Sequence, residues 1–351
     1  MRMTTKIIVS CISFFIIGSS LNAQDVHFSQ FYMAPQLLNP GMVGAEYDMR
    51  AMANYRNQWR SVTEPFVTYA ASYDMNFKKP NQKTGFWAAG VNFFGDKAGD
   101  SQMQTYQASL SGAYHLYLNE NNTLGLGTQV GFFQRSINLN NLSWSNQYDG
   151  MAYDENLSSR EPSAAGTEII YAPDFVTGLV WTYKKTDMYA VNNEQLIMTG
   201  GVSVQHLNSP SYAAYQEILE DKLHLRWVGH YSALIGLPNT SFSLNPGLVY
   251  MMQGPNQMVM LGSNFLYKFK QSSGYSKSVK GATVSFGGFY RLGDAFAITS
   301  LLEFGQYAIG MSYDFNYSPL NIVSSGHGAF EISLRYVSPS PFGGKSKARF
   351  N

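Results

Sequence analysis

Apolar and polar residues alternate one by one along most of this chain. From Val67 to Phe77, the residues Val67, Tyr69, Ala71, Tyr73, Met75 and Phe77 are separated by Thr68, Ala70, Ser72, Asp74 and Asn76. A period of two puts these sets on opposite faces of a strand. Tyr307, Ile309, Met311, Tyr313 and Phe315 repeat the pattern against Ala308, Gly310, Ser312 and Asp314. Phe330, Ile332, Leu334 and Tyr336 repeat it against Glu331, Ser333 and Arg335. The pattern predicts about fourteen strands, near 48–57, 65–78, 85–95, 102–118, 122–135, 173–184, 194–206, 222–236, 240–253, 256–270, 282–292, 295–304, 306–316 and 327–337. Most exceed the roughly 5–6 residues usual in globular strands. They suit the about 9–11 residues that a tilted strand needs to cross a bilayer.

The polar face separates a membrane barrel from a secreted sandwich. A sandwich turns that face to water and commonly arms it with Lys, Glu, Thr and Arg. Here it carries Gly, Ser, Ala and Asn with scattered charges: Arg50, Arg56, Asp74, Arg135, Arg226, Arg291, Glu303, Asp314, Glu331 and Arg335. Small and amide residues suit a crowded lumen, and the mixed signs favour a hydrogen-bonded, occluded one. Aromatics gather near segment ends, at Tyr47, Tyr55, Phe93, Tyr106, Tyr183, Tyr267, Phe269, Phe304, Phe315 and Tyr336. That is the expected placing of interfacial girdles. The pattern therefore predicts an all-β fold, a transmembrane up-and-down antiparallel β-barrel of about 14 strands. Charged residues at 13% are about half the usual share, and the absence of a long apolar run excludes a helical membrane protein. Even strand number puts both termini on the periplasmic side, so residues 136–172, 207–221 and 317–326 become surface loops. Pro246 lacks an N–H for the ladder, which predicts a bulge or two shorter strands there.

Residues 1–23 read as a signal peptide. Arg2 and Lys6 precede the apolar run Ile7 to Ile17, and a small, polar stretch ends at Ala23. Ile8–Cys11 has the outline of a lipoprotein box, but the apolar run continues past it. Cys11 is the only cysteine, so a processed chain has no disulfide or cysteine-bound metal. Processing leaves 22 bases against 23 acids, without a basic footprint for nucleic acid. The expected division is 24–47 as a periplasmic or plug segment, 48–338 as the barrel and 339–351 as a periplasmic tail.

Residues 24–47 lack alternation, and Pro35 and Pro40 bar a central strand. Two readings stand: a plug folded into the lumen, or a flap packed under the periplasmic rim. The segment carries Gln24-Asp25, then His27, Phe28, Ser29, Gln30, Phe31 and Tyr32, then Pro35, Leu38, Asn39, Pro40 and Gly44; Tyr55-Arg56-Asn57-Gln58-Trp59 follows. This combination resembles the start of the PorP/SprF family of outer-membrane proteins, linked in Bacteroidetes to type IX secretion and gliding. Val26 and Gly41 depart from the Pro and Ala usual in the family. The resemblance implies a monomeric, non-enzymatic barrel in the outer membrane, in contact with its lipid. It implies partners of two kinds: the C-terminal sorting domain of a secreted cargo or adhesin, and a periplasmic lipoprotein that binds peptidoglycan.

Little else suggests chemistry. Six histidines are scattered; His224 and His230 share a predicted strand face but lie about 20 Å apart, too far for one metal. No nucleophile elbow accompanies any Ser, His and acid set. The glycines of Leu124–Gly131 lack the strand–loop–helix setting of a dinucleotide site. No catalytic, cofactor-binding or metal residue is expected. Candidate partner-binding residues are loop aromatics, Trp144, Tyr148, Tyr153 and Tyr171 in one surface loop and Tyr212 and Tyr215 in the next, because aromatics suit protein interfaces. A hydrophobic-substrate channel with an N-terminal hatch remains the other functional class; an apolar lumen would favour it.

Overall fold

The computed structural model describes residues 27–60, 64–79, 82–99, 102–138, 144–158, 160, 167–185, 193–211, 222–270, 281–318, 324 and 326–339. The alternating segments form fourteen strands: β1 (Met49–Gln58), β2 (Phe66–Asn76), β3 (Gly85–Ala98), β4 (Met103–Tyr117), β5 (Asn122–Asn138), β6 (Thr167–Lys185), β7 (Leu196–Gln205), β8 (Arg226–Gly236), β9 (Phe242–Gln253), β10 (Asn256–Lys270), β11 (Ala282–Arg291), β12 (Ala295–Phe304), β13 (Tyr307–Asn316) and β14 (His327–Ser338). Each pairs antiparallel with its sequence neighbours, and β14 pairs antiparallel with β1, from Met49 opposite Ser338 to Gln58 opposite Ala329. That last ladder closes the barrel and leaves no edge strand to satisfy.

The two faces sort as the alternation requires. In β1, Arg50, Met52, Asn54 and Arg56 are buried inward, while Ala53 and Tyr55 point out. Leu110 on β4 is 67% exposed and Val130 opposite it on β5 is 55% exposed. Such apolar exposure on a closed cylinder marks a surface made for hydrocarbon rather than water. Outward aromatics pair near strand ends, among them Trp87 with Tyr114, Trp181 with Tyr183, Tyr307 with Tyr336 and Tyr290 with Tyr317.

Several expectations change in detail. β5 and β6 extend beyond their predicted ends, so the long connection is 139–166 and Tyr171 is a strand residue. β8 begins at Arg226, leaving His224 off the strand. Pro246 produces neither a bulge nor a break. It sits opposite Ser263 in an unshifted β9–β10 register, and the missing N–H interrupts only the β8 side, where pairing skips from Ser232–Gly247 to Ile235–Leu244. Tyr47 is not a girdle residue; its ring lies 5.6 Å from the Arg50 guanidinium and 5.2 Å from that of Arg335. The lumen is also less polar than its small residues suggest. Val228, Val249, Met251, Met258, Met260, Phe289 and Ala297 form a buried apolar wall across β8 to β12.

The barrel has two unlike ends. At one end β1 starts and β14 stops. The other end carries the connections 139–166, 206–225 and 317–326. Residues 27–48 run down the lumen between them. His27 meets Arg291 at the loop-bearing end, Asn39 meets β6 to β8 midway, and Gly44 meets Asn76 near the end where β1 starts.

Replacing Leu110 with Arg puts a charge on the lipid face and should destabilise the barrel by about 2–4 kcal/mol in lipid bilayers, whereas Tyr148→Arg in the loop should leave stability unchanged. Equilibrium urea unfolding of the refolded variants in vesicles measures both.

Candidate functional site

The lumen is where the chemistry of this chain is concentrated. The segment within it has little regular structure of its own: a 3-10 turn at Phe31–Met33, one helical turn at Pro35–Leu38 and a 3-10 turn at Pro40–Met42. Pro35 and Pro40 occupy first-turn positions, where a missing N–H costs nothing. The Asn39 side-chain oxygen accepts the Gly41 N–H at 2.8 Å and caps the last turn. So short a segment cannot satisfy its own backbone, and the barrel wall supplies the partners.

At the loop-bearing end the partners are ionic. Arg56 from β1, Arg291 from β11, Asp314 from β13 and Glu331 from β14 are all nearly fully buried. Arg56 pairs with Glu331 and with Asp314, the latter at 3.1 Å, and Arg291 reaches Asp314 at 3.0 Å. Arg291 also pairs with the part-exposed Asp294 at 2.6 Å, and the segment takes up the remaining acceptor capacity of the two buried carboxylates. The N–H groups of Ser29 and Gln30 donate to the two Glu331 oxygens at 2.8 and 3.0 Å, and the Ser29 hydroxyl donates to Asp314 at 2.8 Å. Arg291 also donates to His27 Nε2 at 2.9 Å. A carboxylate gripping consecutive amides forms charge-assisted bonds, which are the stronger class.

Midway, the wall is cleared to backbone. Asn39 Nδ2 donates to the carbonyls of Leu179 and Val202 at 3.0 and 3.1 Å and lies 3.2 Å from His230 Nε2. Gly127 on β5, Gly178 on β6 and Gly201 on β7 lie under the Asn39-Pro40-Gly41 turn. A Cβ on Gly127 would run into Pro40 and the Gly41 nitrogen, one on Gly178 into the Asn39 side chain. The strand glycines are thus clearance for a close backbone approach. Gly41 itself is tight: an added Cβ would lie 3.0 Å from Val180 Cγ2 and 3.0 Å from Asn39 Oδ1.

Near the β1 start, Arg50 Nε pairs with Asp74 at 2.9 Å, and Asp74 in turn accepts the Gly44 N–H at 2.8 Å. Gly44 has φ +65°, and a Cβ there would strike Ala88, so both backbone and space require glycine. His115 donates to the Val43 carbonyl at 2.7 Å while its ring stacks on Phe86. On the apolar wall, Phe31 meets Phe289 edge-to-face at 5.5 Å, with Leu38 in the same cluster.

A closed barrel gripping this motif calls for comparison with known proteins, and the family described as "Type IX secretion system membrane protein PorP/SprF" matches residues 20–336. The chain belongs to the PorP/SprF family. That match covers the lumenal segment and nearly all of β1 to β14 in this PorP/SprF protein. No curated protein matches it. Among solved structures, it is similar to a deletion mutant of the TodX monoaromatic hydrocarbon channel, at 9% identity and a TM-score of 0.48 over 89% of this chain and 95% of that one. A FadL homologue from Pseudomonas aeruginosa gives 10% and 0.42 over 82% and 90%. The translocator domain of the autotransporter NalP from Neisseria meningitidis gives 11% and 0.34 over 83% and 88%. At these values the likeness extends to general shape alone.

The motif residues of this PorP/SprF chain come together as one set. Phe28 packs with Ala34 and Ala70, Phe31 and Tyr32 against the apolar wall, and Ser29, Gln30, Pro35, Asn39 and Pro40 are all buried. Among the described loop aromatics, Tyr148 and Tyr153 come together while Tyr171 lies apart. Tyr148 and Tyr153 pair across an isolated bridge and are 59% and 53% exposed. Between them Met151 is 91% exposed, and the Asp149 carboxylate accepts the Met151 and Ala152 N–H groups, which holds its pKa below the usual range. Trp144 is the cap residue ahead of the 3-10 turn at Ser145–Gln147. Tyr171 lies apart on β6, stacked on Phe132. Tyr212 and Tyr215 lie outside the described residues. Sequence reasoning missed His115 and His230 as partners of the lumenal segment; neither lay in a recognisable motif.

Gly127→Ala should destabilise the folded protein by about 1–3 kcal/mol, because the obstructing atoms are backbone. Gly112→Ala, with nothing within 4 Å of its added Cβ, should stay within about 0.5 kcal/mol of the parent. Denaturant midpoints of the two refolded variants test the difference.

Proposed function

We propose that this protein is a non-enzymatic outer-membrane component of the type IX secretion system that works by docking at its two mouths rather than by conducting through its lumen. The observation that carries this reading is the bound segment: residues 27–48 occupy the lumen and are held by hydrogen bonds to buried, ion-paired carboxylates of the wall. A passage so filled suits a scaffold. The loop-bearing mouth is the face for a secreted cargo or adhesin, received through its C-terminal sorting domain. Trp144, Tyr148 and Tyr153 lie on the connection there, with Tyr212 and Tyr215 contributed by the next. The opposite mouth, with the 339–351 tail, is the face for a periplasmic lipoprotein that binds peptidoglycan. This orientation follows the barrel rule of long outer loops. It presumes removal of residues 1–23 as a signal peptide.

One observation favours a second reading. The apolar wall of β8 to β12 resembles the lining a hydrophobic-substrate channel needs. In this structure Phe31 and Leu38 of the same chain cover it, which supports docking over transport. Bound lipid or fatty acid in the native protein, without a protein partner, would reverse that preference.

The purified protein should give no large steady channels in planar bilayers; such channels from the intact chain would refute the filled-lumen reading. Replacing residues 140–166 with a short linker should abolish co-purification of the surface partner from native membranes while leaving the barrel heat-modifiable on gels. Undiminished retention would remove that loop from the interface.

A further inference from the structure

The direction of the lumenal segment has a functional meaning that its sequence position hides. β1 starts and β14 stops at the same end of the barrel, so a segment ahead of β1 is expected to begin at that end too. Its course is the reverse. Its most N-terminal described residues contact positions at or near the opposite ends of their strands. Arg291, the partner of His27, is the last residue of β11. Asp314, bonded to Ser29, is two residues from the end of β13. Arg56, also bonded to Ser29, is two residues from the end of β1. Glu331, which holds both the Ser29 and Gln30 amides, is four residues into β14. The next contacts descend: Asn54 donates to the Met33 carbonyl, Asn39 binds the middle of β6 to β8, and Gly44 reaches Asp74 and Asn76 at the β1-start end.

We infer that the lumenal segment is threaded through the whole barrel, clasped by Glu331, so that its His27 end opens at the loop-bearing mouth and faces the cell exterior. Its motif residues are then turned into the wall and are not a periplasmic docking element. Contact with periplasmic components falls to the turns at the β1-start end and to the C-terminal tail. The clasp is built for holding: its four charged residues come from β1, β11, β13 and β14 and are all but excluded from solvent. The exterior assignment rests on the orientation adopted above, and the threading does not.

Cysteine accessibility tests both separately. In a Cys11→Ser background, single variants His27→Cys, Met151→Cys and Glu120→Cys are treated with a membrane-impermeant maleimide on intact cells and after outer-membrane permeabilisation. Met151 is in the loop-side connection and exposed; Glu120 is exposed in the turn between β4 and β5 at the opposite end. The expected result is labelling of His27→Cys and Met151→Cys on intact cells and of Glu120→Cys only after permeabilisation. If Met151→Cys and Glu120→Cys exchange behaviour, the orientation fails while the threading stands, provided His27→Cys still follows Met151→Cys. If His27→Cys follows Glu120→Cys, or reacts only after unfolding, the inference is overturned. Glu331→Gln provides a second measure. It removes the charge from the clasp and should reduce labelling of His27→Cys on intact cells, as the freed end withdraws toward its tether at β1. Undiminished labelling in a folded Glu331→Gln barrel would show that the clasp does not hold the end there.

Discussion

Fourteen strands enclose more space than their own side chains can fill, and that constraint shapes the rest of the molecule. A barrel of about eight strands is packed by its inward residues alone; wider ones hold a channel, a ligand or a plug. Here the filler is the chain's own beginning. It has too few residues to make a core, so it meets the wall through backbone. Every close approach then needs either a glycine opposite or a polar group to take up an N–H or C=O. Gly127, Gly178 and Gly201 serve the first need; Glu331, Asp74, Asn54 and Ser203 serve the second.

The buried charges follow from the same constraint. Two arginines and two acids in a dry interior are not an economical way to stabilise a fold, since apolar replacements of equal volume often do as well. Breaking one partner is another matter, leaving an uncompensated charge at a cost of about 3–5 kcal/mol. Such a cluster contributes selectivity more than net stability. Only a segment that offers two adjacent amides and a hydroxyl satisfies Glu331 and Asp314 together. The apolar wall beside it is undiscriminating by comparison; any greasy side chain of suitable size would cover it.

The strands were legible because period two is a local property, visible within ten residues. All fourteen were readable from Tyr, Ile, Met and Leu standing opposite Ser, Gly and Asn, and the start of β6 was missed where the alternation lapses into consecutive apolar residues, from Ile169 to Pro173. Membership of the PorP/SprF family was legible in His27 to Pro40 as a spelling. What that spelling does was not, because its partners are remote. Ser29 meets Glu331 across 302 positions and Asn39 meets His230 across 191. No periodicity carries such information. The glycines of β5 stood out in the sequence, but only the turn lying on them says why a side chain is forbidden. The inward methionines of β9 and β10 looked like ordinary strand residues until the hairpin register set Met251 opposite Met258.

The clasp also dictates an order of events. Glu331 and Arg56 stand on the strands that close the cylinder, the last and the first, so the pocket for Ser29 and Gln30 does not exist until β14 has found β1. Contacts spanning nearly the entire polypeptide form late, because the entropy of bringing distant positions together must be met first. The clasp is therefore complete only once the seam is sealed, since Arg56 and Glu331 stand opposite each other across the β1–β14 ladder. A nascent or truncated chain without its final strand would hold an unfinished sheet around a loose thread.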